Sequence, residues 1–145
     1  MPPIYFASIQ NKLTRLDLII ALLDDFRKSS IKEFEKEPKL HGSAMYNLII
    51  GIEIIIDIGN HLLAQTVDAQ SKSYRDIISN LGIHNIIPKQ FADENIEMSG
   101  FRNRLAHDYD SIDLLKVHTY LQKAPEIFRQ FLEYYHNFLE NQQRS

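Results

Sequence analysis

The sequence predicts an all-α protein built as a bundle of four or five helices. Apolar residues recur three and four positions apart along most of the chain, which is the period of an amphipathic helix. The chain contains no internal repeat, low-complexity tract or domain linker, and its 145 residues suffice for one hydrophobic core but not for two. We therefore expect residues 1–145 to form a single helical domain.

The first half of the chain predicts two helices. One apolar stripe defines the first, which we expect to continue to about Phe34, and its members are Ile9, Leu13, Leu16, Ile20 and Leu23. Residues 35–42 contain Pro38 and Gly42 and are interpreted as a connection. A second helix is predicted over residues 43–65. Its isoleucines would suit a strand, but so long a run without turn signals favours a helix.

The second half predicts shorter helices and one long final helix. Ser73 is expected to cap a short helix, and Pro88 suits the first position of another. A core stripe follows, made of Ile87, Phe91, Met98, Phe101 and Leu105. Asp110 or Ser111 is expected to cap the final helix, and Pro125 should kink or split that helix.

Composition limits the classes of function. The formal net charge of −3 and the pI near 6.0 lack the basic character of a general nucleic-acid binder, so any RNA contact must be local. The local cations are Arg102, Arg104, Lys89, Lys72, Arg75 and Lys116.

The absence of cysteine excludes disulfides and thiolate metal sites. The amino terminus lacks the features of a signal peptide, and the apolar run at residues 48–63 is shorter than the ~20 residues of a membrane span, so we expect a cytoplasmic protein without membrane contact.

The most informative segment is residues 100–109, which places Arg102, Asn103, His107 and Tyr109 close together in the pattern Arg-Asn-x-x-x-His-x-Tyr. Arginine is a bidentate partner for phosphate, and the pKa of histidine suits proton transfer near neutral pH. Asn103 and His107 are neighbours on a helical face, where the amide can orient the imidazole or share its phosphate. Arg102 and His107 reach one phosphate only if the helix ends near His107, or if a second copy supplies one of them.

These residues fit RNA cleavage without a metal ion. Attack of a 2′-hydroxyl on the adjacent phosphorus needs a base, an acid and a cation for the developing charge. Arg102 is the predicted cation and His107 the predicted base or acid. One motif supplies one imidazole, whereas two motifs across a two-fold axis would supply two.

The motif resembles the signature of the HEPN superfamily, specifically its HepT-like branch of small ribonuclease toxins. Residues 54–61 also resemble an Asp-Ile-Ala-Asn-His stretch of that branch, with Gly59 in place of the small alanine. The resemblance implies a homodimer with its active cleft between protomers, an mRNA or tRNA substrate and no cofactor. It also implies a cognate minimal nucleotidyltransferase antitoxin that attaches AMP to Tyr109.

Each residue has an alternative interpretation. Arg102 could pair with Asp108 or Asp110 on the surface, His107 could be a helix-terminal residue favoured by the dipole, and Tyr109 could be core packing. A separate polar stripe is formed by Glu53, Asp57 and His61. Its spacing could bind a metal ion, but three ligands without a matching second cluster are a weak signal for a metal site. We expect instead that Asp57 and His61 satisfy one another or support the catalytic cleft.

Two other functions stay open at this point. One is a HEPN domain that cuts nothing and serves as the binding or scaffold partner of a nucleotidyltransferase. The other is a structural helical dimer in which the motif is incidental.

Overall fold

The structure of the chain, a computed structural model, describes residues 3–67 and 71–144. These residues form seven α-helices, a 3-10 turn at Tyr109–Ser111 and no strand. The helices are α1 (Pro3–Phe26), α2 (Ile31–Lys36), α3 (Pro38–Thr66), α4 (Tyr74–Ile83), α5 (Lys89–Glu94), α6 (Met98–His107) and α7 (Leu114–Arg144). Five of them have ten residues or more, so the predicted all-α bundle of four or five principal helices is confirmed, with α2 and α5 as short additions.

Helix α3 is the centre of the bundle. It packs against α1, α2, α4, α6 and α7. The apolar stripe of this helix is buried throughout, and its members are Met45, Leu48, Ile52, Ile55, Gly59 and Leu62. By length and composition alone α3 could cross a membrane, but here it is enclosed by the other helices, as expected of a core helix. Helices α1 and α3 are antiparallel, because Lys12 lies beside Asp57 and Ile19 lies beside Gly51. The motif helix α6 is thus placed against the central helix of the fold.

The boundary between the first two helices differs from the prediction. Helix α1 ends at Phe26, not near Phe34, because Ser29 donates its hydroxyl to the Phe26 carbonyl and Ser30 begins a capping box with Glu33. Residues 35–42 are not a connection either. Pro38 occupies the first turn of α3, where a proline removes no helical hydrogen bond, and Gly42 lies within that helix.

The second half contains one confirmed cap, two corrected helix starts and a final helix that does not split. Ser73 caps α4 by accepting the backbone N–H of Asp76, as predicted. Pro88 precedes α5 as its N-cap. Asp113, not Asp110 or Ser111, accepts a backbone N–H at the start of α7. Helix α7 also continues through Pro125 without splitting.

The continuity of α7 at Pro125 has a local explanation. A proline removes one N–H and crowds the carbonyls of the preceding turn. In that turn Arg27, just after α1, donates Nη1 to the carbonyl oxygen of Gln122 at 3.0 Å. Leu121, Ala124, Pro125 and Phe128 are buried on α7, which packs against α1 and α3, and this packing holds the helix together.

Two glycines of α3 allow close helix contacts. A Cβ atom on Gly51 would lie 2.5 Å from Cε2 of Phe128. A Cβ atom on Gly59 would lie 2.8 Å from Leu81 and 2.9 Å from the Tyr135 hydroxyl, which donates to the Ile55 carbonyl at 2.8 Å. The glycine at position 59, where the resemblance led us to expect alanine, therefore matches the space that this core leaves.

We expect Gly51→Ala to lower the free energy of unfolding by about 1–2 kcal/mol, because overpacking a core costs more than the gain in helix propensity. Gly100→Ala is the matched control. A Cβ atom there would lie 3.7 Å from its nearest neighbour, so the control should be neutral or slightly stabilising. Denaturant unfolding of both variants checks this. Equal midpoints would show that the Phe128 ring moves aside without lowering the free energy of unfolding.

Candidate active site

The motif lies on α6, whose orientation is fixed by its buried residues. Leu105 is fully buried, and α6 packs against α3 and α4. The helix ends at His107, where the Asp108 N–H donates to the Arg104 carbonyl at 2.9 Å. The sequence required the helix to end near His107 if Arg102 and His107 of one chain were to reach one phosphate, and α6 does end there.

Arg102 makes the best-defined contacts of the motif. Its Nε donates to Oε1 of Glu53 on α3 at 3.0 Å, and its Nη2 contacts the same carboxylate oxygen. Its Nη1 donates to Oδ1 of Asn103 at 3.2 Å, and its Cζ lies 5.5 Å from the centroid of the Tyr74 ring. The Arg102 side chain is only 18% exposed. The surface pairing with Asp108 or Asp110 is therefore wrong, because the partner is Glu53.

These contacts hold the guanidinium in one orientation while leaving donors free. Glu53 takes Nε and one N–H of Nη2, which leaves hydrogens on both terminal nitrogens for a second anion. The tyrosine ring beneath the guanidinium adds an attractive contact. Arg102 is thus a partly buried cation that its neighbours hold in one orientation.

The predicted support by Asn103 takes an unexpected form. Its amide oxygen accepts from Arg102, and it makes no hydrogen bond with His107. Asn103 therefore contacts the guanidinium of Arg102 and not the imidazole of His107.

Asp57 and His61 lie one and two turns beyond Glu53 on α3. Asp57 pairs with Lys12 of α1 at 2.9 Å, and its other oxygen lies 3.8 Å from Nε2 of His61. Glu53 and Asp57 border a cleft of about 360 Å³ together with Lys12, Arg15 and Tyr74. The predicted contact between Asp57 and His61 is present. Among the described residues no three His, Cys, Asp or Glu side chains are grouped to hold a metal ion, because Glu53 turns to Arg102 and Asp57 to Lys12.

A second cleft, of about 410 Å³, shares Tyr74 with the first. It is bordered by Tyr74, Arg75, Glu97, Arg102 and Asn103, together with the start of α6. Arg75 pairs there with Glu97, so Arg102 is the motif cation of this cleft. Tyr74 lines both clefts, and Glu53 of the first cleft is hydrogen-bonded to Arg102 of the second.

His107 and Tyr109 are both accessible. His107 is exposed at the last position of α6, and no other described residue bonds to its ring. Tyr109 is 51% exposed, and its hydroxyl lies 3.4 Å from the Cβ position of Gly42 on α3. It shares a cleft of about 250 Å³ with His41 and Met45. Its interpretation as core packing is therefore wrong.

Sequence reasoning missed the partners of Arg102. Glu53 and Tyr74 lie 49 and 28 positions earlier in the chain, and the only available signal was an acidic residue on an otherwise apolar helix. One chain therefore contributes an oriented arginine on α6, an accessible imidazole at the end of α6 and an accessible phenol just after it. Arg102 and Tyr109 border different clefts, and His107 borders neither of them.

Comparison with known proteins gives a consistent result. The family described as Ribonuclease HepT-like matches residues 16–135. The mRNA nuclease HepT of Shewanella oneidensis is 33% identical over 101 residues, which cover 70% of this chain and 76% of that protein. The tRNA nuclease HepT of Aphanizomenon flos-aquae is 30% identical over 132 residues, which cover 83% and 87% respectively.

Solved structures agree on the fold. The tri-AMPylated HEPN toxin of Shewanella oneidensis, solved in complex with an MNT antitoxin, has a TM-score of 0.79 and 29% identity over 92% of this chain and 97% of that chain. The cytosolic protein YutE of Bacillus subtilis has a TM-score of 0.80 at 20% identity, over 94% of this chain and 91% of its own, and shares the fold. With the family match covering most of the sequence, the chain belongs to the HepT-like ribonucleases of the HEPN superfamily.

Proposed function

We propose that this chain is the toxin of a HEPN/MNT toxin–antitoxin pair, an endoribonuclease that cuts mRNA or tRNA in the cytoplasm without a metal ion. The observation that carries the proposal is the Arg102 guanidinium, oriented by Glu53 and Asn103 on a helix that ends at His107. The relatives named mRNA nuclease and tRNA nuclease support the substrate class.

The proposed reaction is an internal transfer of the phosphodiester. The 2′-oxygen attacks phosphorus, a base takes the 2′-hydroxyl proton, and the bond to the 5′-oxygen breaks as an acid protonates it. The products are a 2′,3′-cyclic phosphate and a 5′-hydroxyl. The free N–H groups of Arg102 stabilise the charge that builds on the phosphate oxygens, and His107 acts as base or acid. Asp57 and His61 support the cleft beside Glu53.

A homodimer would supply both proton-transfer groups, because each motif has one imidazole. The chain also has apolar side chains available for an interface. Leu18 is 65% exposed and Leu22 is 47% exposed, four residues apart on α1, and Tyr46 on the antiparallel α3 is 58% exposed. Residues four apart share a helix face. This face borders the cleft that contains Glu53, since Arg15 and Ile50 line that cleft.

We expect His107→Ala subunits to inactivate the wild-type subunits that they pair with. An equal mixture, after subunit exchange, should retain about one quarter of the wild-type rate if one site needs both histidines, and about one half if each protomer works alone. Sedimentation and cleavage assays on the same mixture check this. A fully active monomer would contradict the shared site.

Purified protein is expected to cut RNA in the presence of EDTA and to leave 2′,3′-cyclic phosphate ends, because the proposed acid, base and cation are all side chains. Mass spectrometry of the fragments identifies these ends. Cleavage that stops in EDTA and returns with Mg²⁺ would contradict the metal-independent mechanism. A protein that binds RNA or its nucleotidyltransferase but never cuts would favour the scaffold function.

We further propose that a cognate minimal nucleotidyltransferase silences the toxin by attaching AMP to Tyr109. The phenol oxygen would attack the α-phosphorus of ATP and release pyrophosphate. The accessible Tyr109 hydroxyl, two residues after His107, supports this, and the related toxin solved with an MNT antitoxin is AMPylated. A nucleotide on Tyr109 would place negative charge and bulk where the RNA phosphate must bind.

A further inference from the structure

A cleft of about 640 Å³ separates α6 and the segment after it from the first part of α7. We call it the α6–α7 cleft. Three cations border it, Arg104 from α6 and both Lys116 and Lys123 from α7. The two lysines and Tyr120 are four, three and seven positions apart, which puts them on one face of α7. None of them belongs to the cavities around Arg102 and Tyr109.

The three cations of this cleft form no salt bridge with the described residues. None of the three has a carboxylate within salt-bridge distance among the described residues, although Asp108 and Asp113 also border the cleft. Lysines and arginines elsewhere, such as Lys12, Lys89 and Arg129, do form such pairs. Three unpaired cations facing two carboxylates leave an excess of positive charge for an anionic ligand.

Two aromatic rings form one wall of the cleft. The Phe101 and Tyr120 ring centroids are 4.4 Å apart. Arg104 lies 5.9 Å from the Phe101 centroid and Lys123 lies 5.6 Å from the Tyr120 centroid. Burial raises the pKa of Tyr120, so its phenol stays protonated, and its hydroxyl has no hydrogen-bond partner among the described residues. Aromatic rings beside cations are a combination that suits bases and phosphates of single-stranded nucleic acid.

The α6–α7 cleft and Arg102 lie on nearly opposite sides of α6. Arg102 and Arg104 are two residues apart, so they point to nearly opposite sides of α6. Leu105 faces the core, and exposed His107 lies on the outer side between them. An RNA strand that crosses α6 over His107 would contact Arg102 on one side of the helix and the α6–α7 cleft on the other.

We propose that the α6–α7 cleft binds the part of the RNA next to the scissile phosphate, an inference that rests on the proposed ribonuclease function. Arg104, Lys116 and Lys123 hold its phosphates. The Phe101 and Tyr120 rings contact its bases. Since the rings accept any base and the cations contact only phosphate, the cleft adds affinity and fixes the path of the strand without selecting a sequence.

The experiment measures binding of a fluorescent single-stranded RNA oligonucleotide to the His107→Ala protein, in which cleavage is disabled. The test variant adds Lys116→Gln and Lys123→Gln. The matched control adds Lys32→Gln and Lys36→Gln, two exposed lysines of α2 that lie outside the cleft. Loss of two phosphate contacts should raise Kd by about tenfold or more near physiological salt, and should reduce the slope of log Kd against log salt by about 1.4. The control should change neither.

Cleavage by proteins that retain His107 gives a second readout. The Lys116→Gln, Lys123→Gln protein should show a higher KM with nearly unchanged kcat, because the lost contacts bind substrate and transition state alike.

The possible outcomes are distinct. Equal RNA affinity for the two double-lysine variants would overturn the α6–α7 cleft as an RNA site and leave the proposed function intact. If that variant instead lost binding to the nucleotidyltransferase while RNA binding was unchanged, the cleft would be a protein-docking surface, and the proposal would also be wrong. If the His107→Ala protein bound no RNA at all, both this inference and the proposed function would be contradicted.

Discussion

The wild-type chain is expected to arrest growth when it is produced without an antitoxin, and His107→Ala and Arg102→Ala are each expected to abolish that arrest. Loss of a general acid or base costs about two to four orders of magnitude in rate. Loss of the arginine removes the only motif cation that Glu53 and Asn103 orient. Growth curves after induction, at matched protein levels, provide the measurement.

Controls separate catalysis from folding in this experiment. His136→Ala removes an exposed histidine of α7 and should stay toxic. Arg102→Ala leaves Glu53 without its partner, so its unfolding midpoint must be compared with that of Arg102→Lys, which keeps the charge but loses the forked geometry. We expect Arg102→Lys to fold and to be strongly impaired. Folded His107→Ala and Arg102→Ala proteins that remain toxic would exclude the motif as the active site.

The second large effect is expected at Tyr109. Co-production with the cognate nucleotidyltransferase should raise the mass of the wild-type chain by one or more AMP units and restore growth. Tyr109→Phe should gain no AMP and should remain toxic beside the antitoxin, because the proposed acceptor is the phenol oxygen and phenylalanine has none. Intact-mass spectrometry and growth, measured on the same cultures, give both results.

Tyr46→Phe is the matched control for Tyr109. In a single chain Tyr46 is 58% exposed and Tyr109 is 51% exposed, so the accessibility of the free subunit does not distinguish the two phenols, although Tyr46 lies on the face that the proposed homodimer would use. Modification of Tyr46, or full neutralisation of an active Tyr109→Phe nuclease, would contradict silencing through Tyr109. In the second case inhibition would have to come from formation of the complex.

Local sequence signals predicted much of the fold. The stripe of α1 from Ile9 to Leu23 is buried as expected, and Ser73 caps α4. The errors arose where one residue type has two uses. Pro38 was interpreted as part of a connection, but the first turn of a helix is where proline is tolerated, and Gly42 lies within the same helix. Pro125 does not split α7.

The site was predicted less completely than the fold, because its geometry depends on contacts that are distant in the sequence. The segment from Arg102 to Tyr109 was recognised from its residue types, its spacing and its resemblance to the HepT-like signature, and α6 does end at His107. The pairing of Arg102 with Glu53 joins residues 49 positions apart and could not be predicted from spacing. Only the packing of α6 on α3 makes that carboxylate the partner of the arginine.

The central claim is that Arg102 and His107 act on the same RNA phosphate, and the most direct test is a ratio of two rates. Single-turnover cleavage of one RNA oligonucleotide is measured in EDTA with saturating purified wild-type protein and with saturating His107→Ala protein. We predict that the variant is slower by at least about 100-fold while its RNA affinity stays within a few-fold of wild type. Equal rates at equal occupancy would contradict the account, because the imidazole would then have no part in breaking the phosphodiester bond.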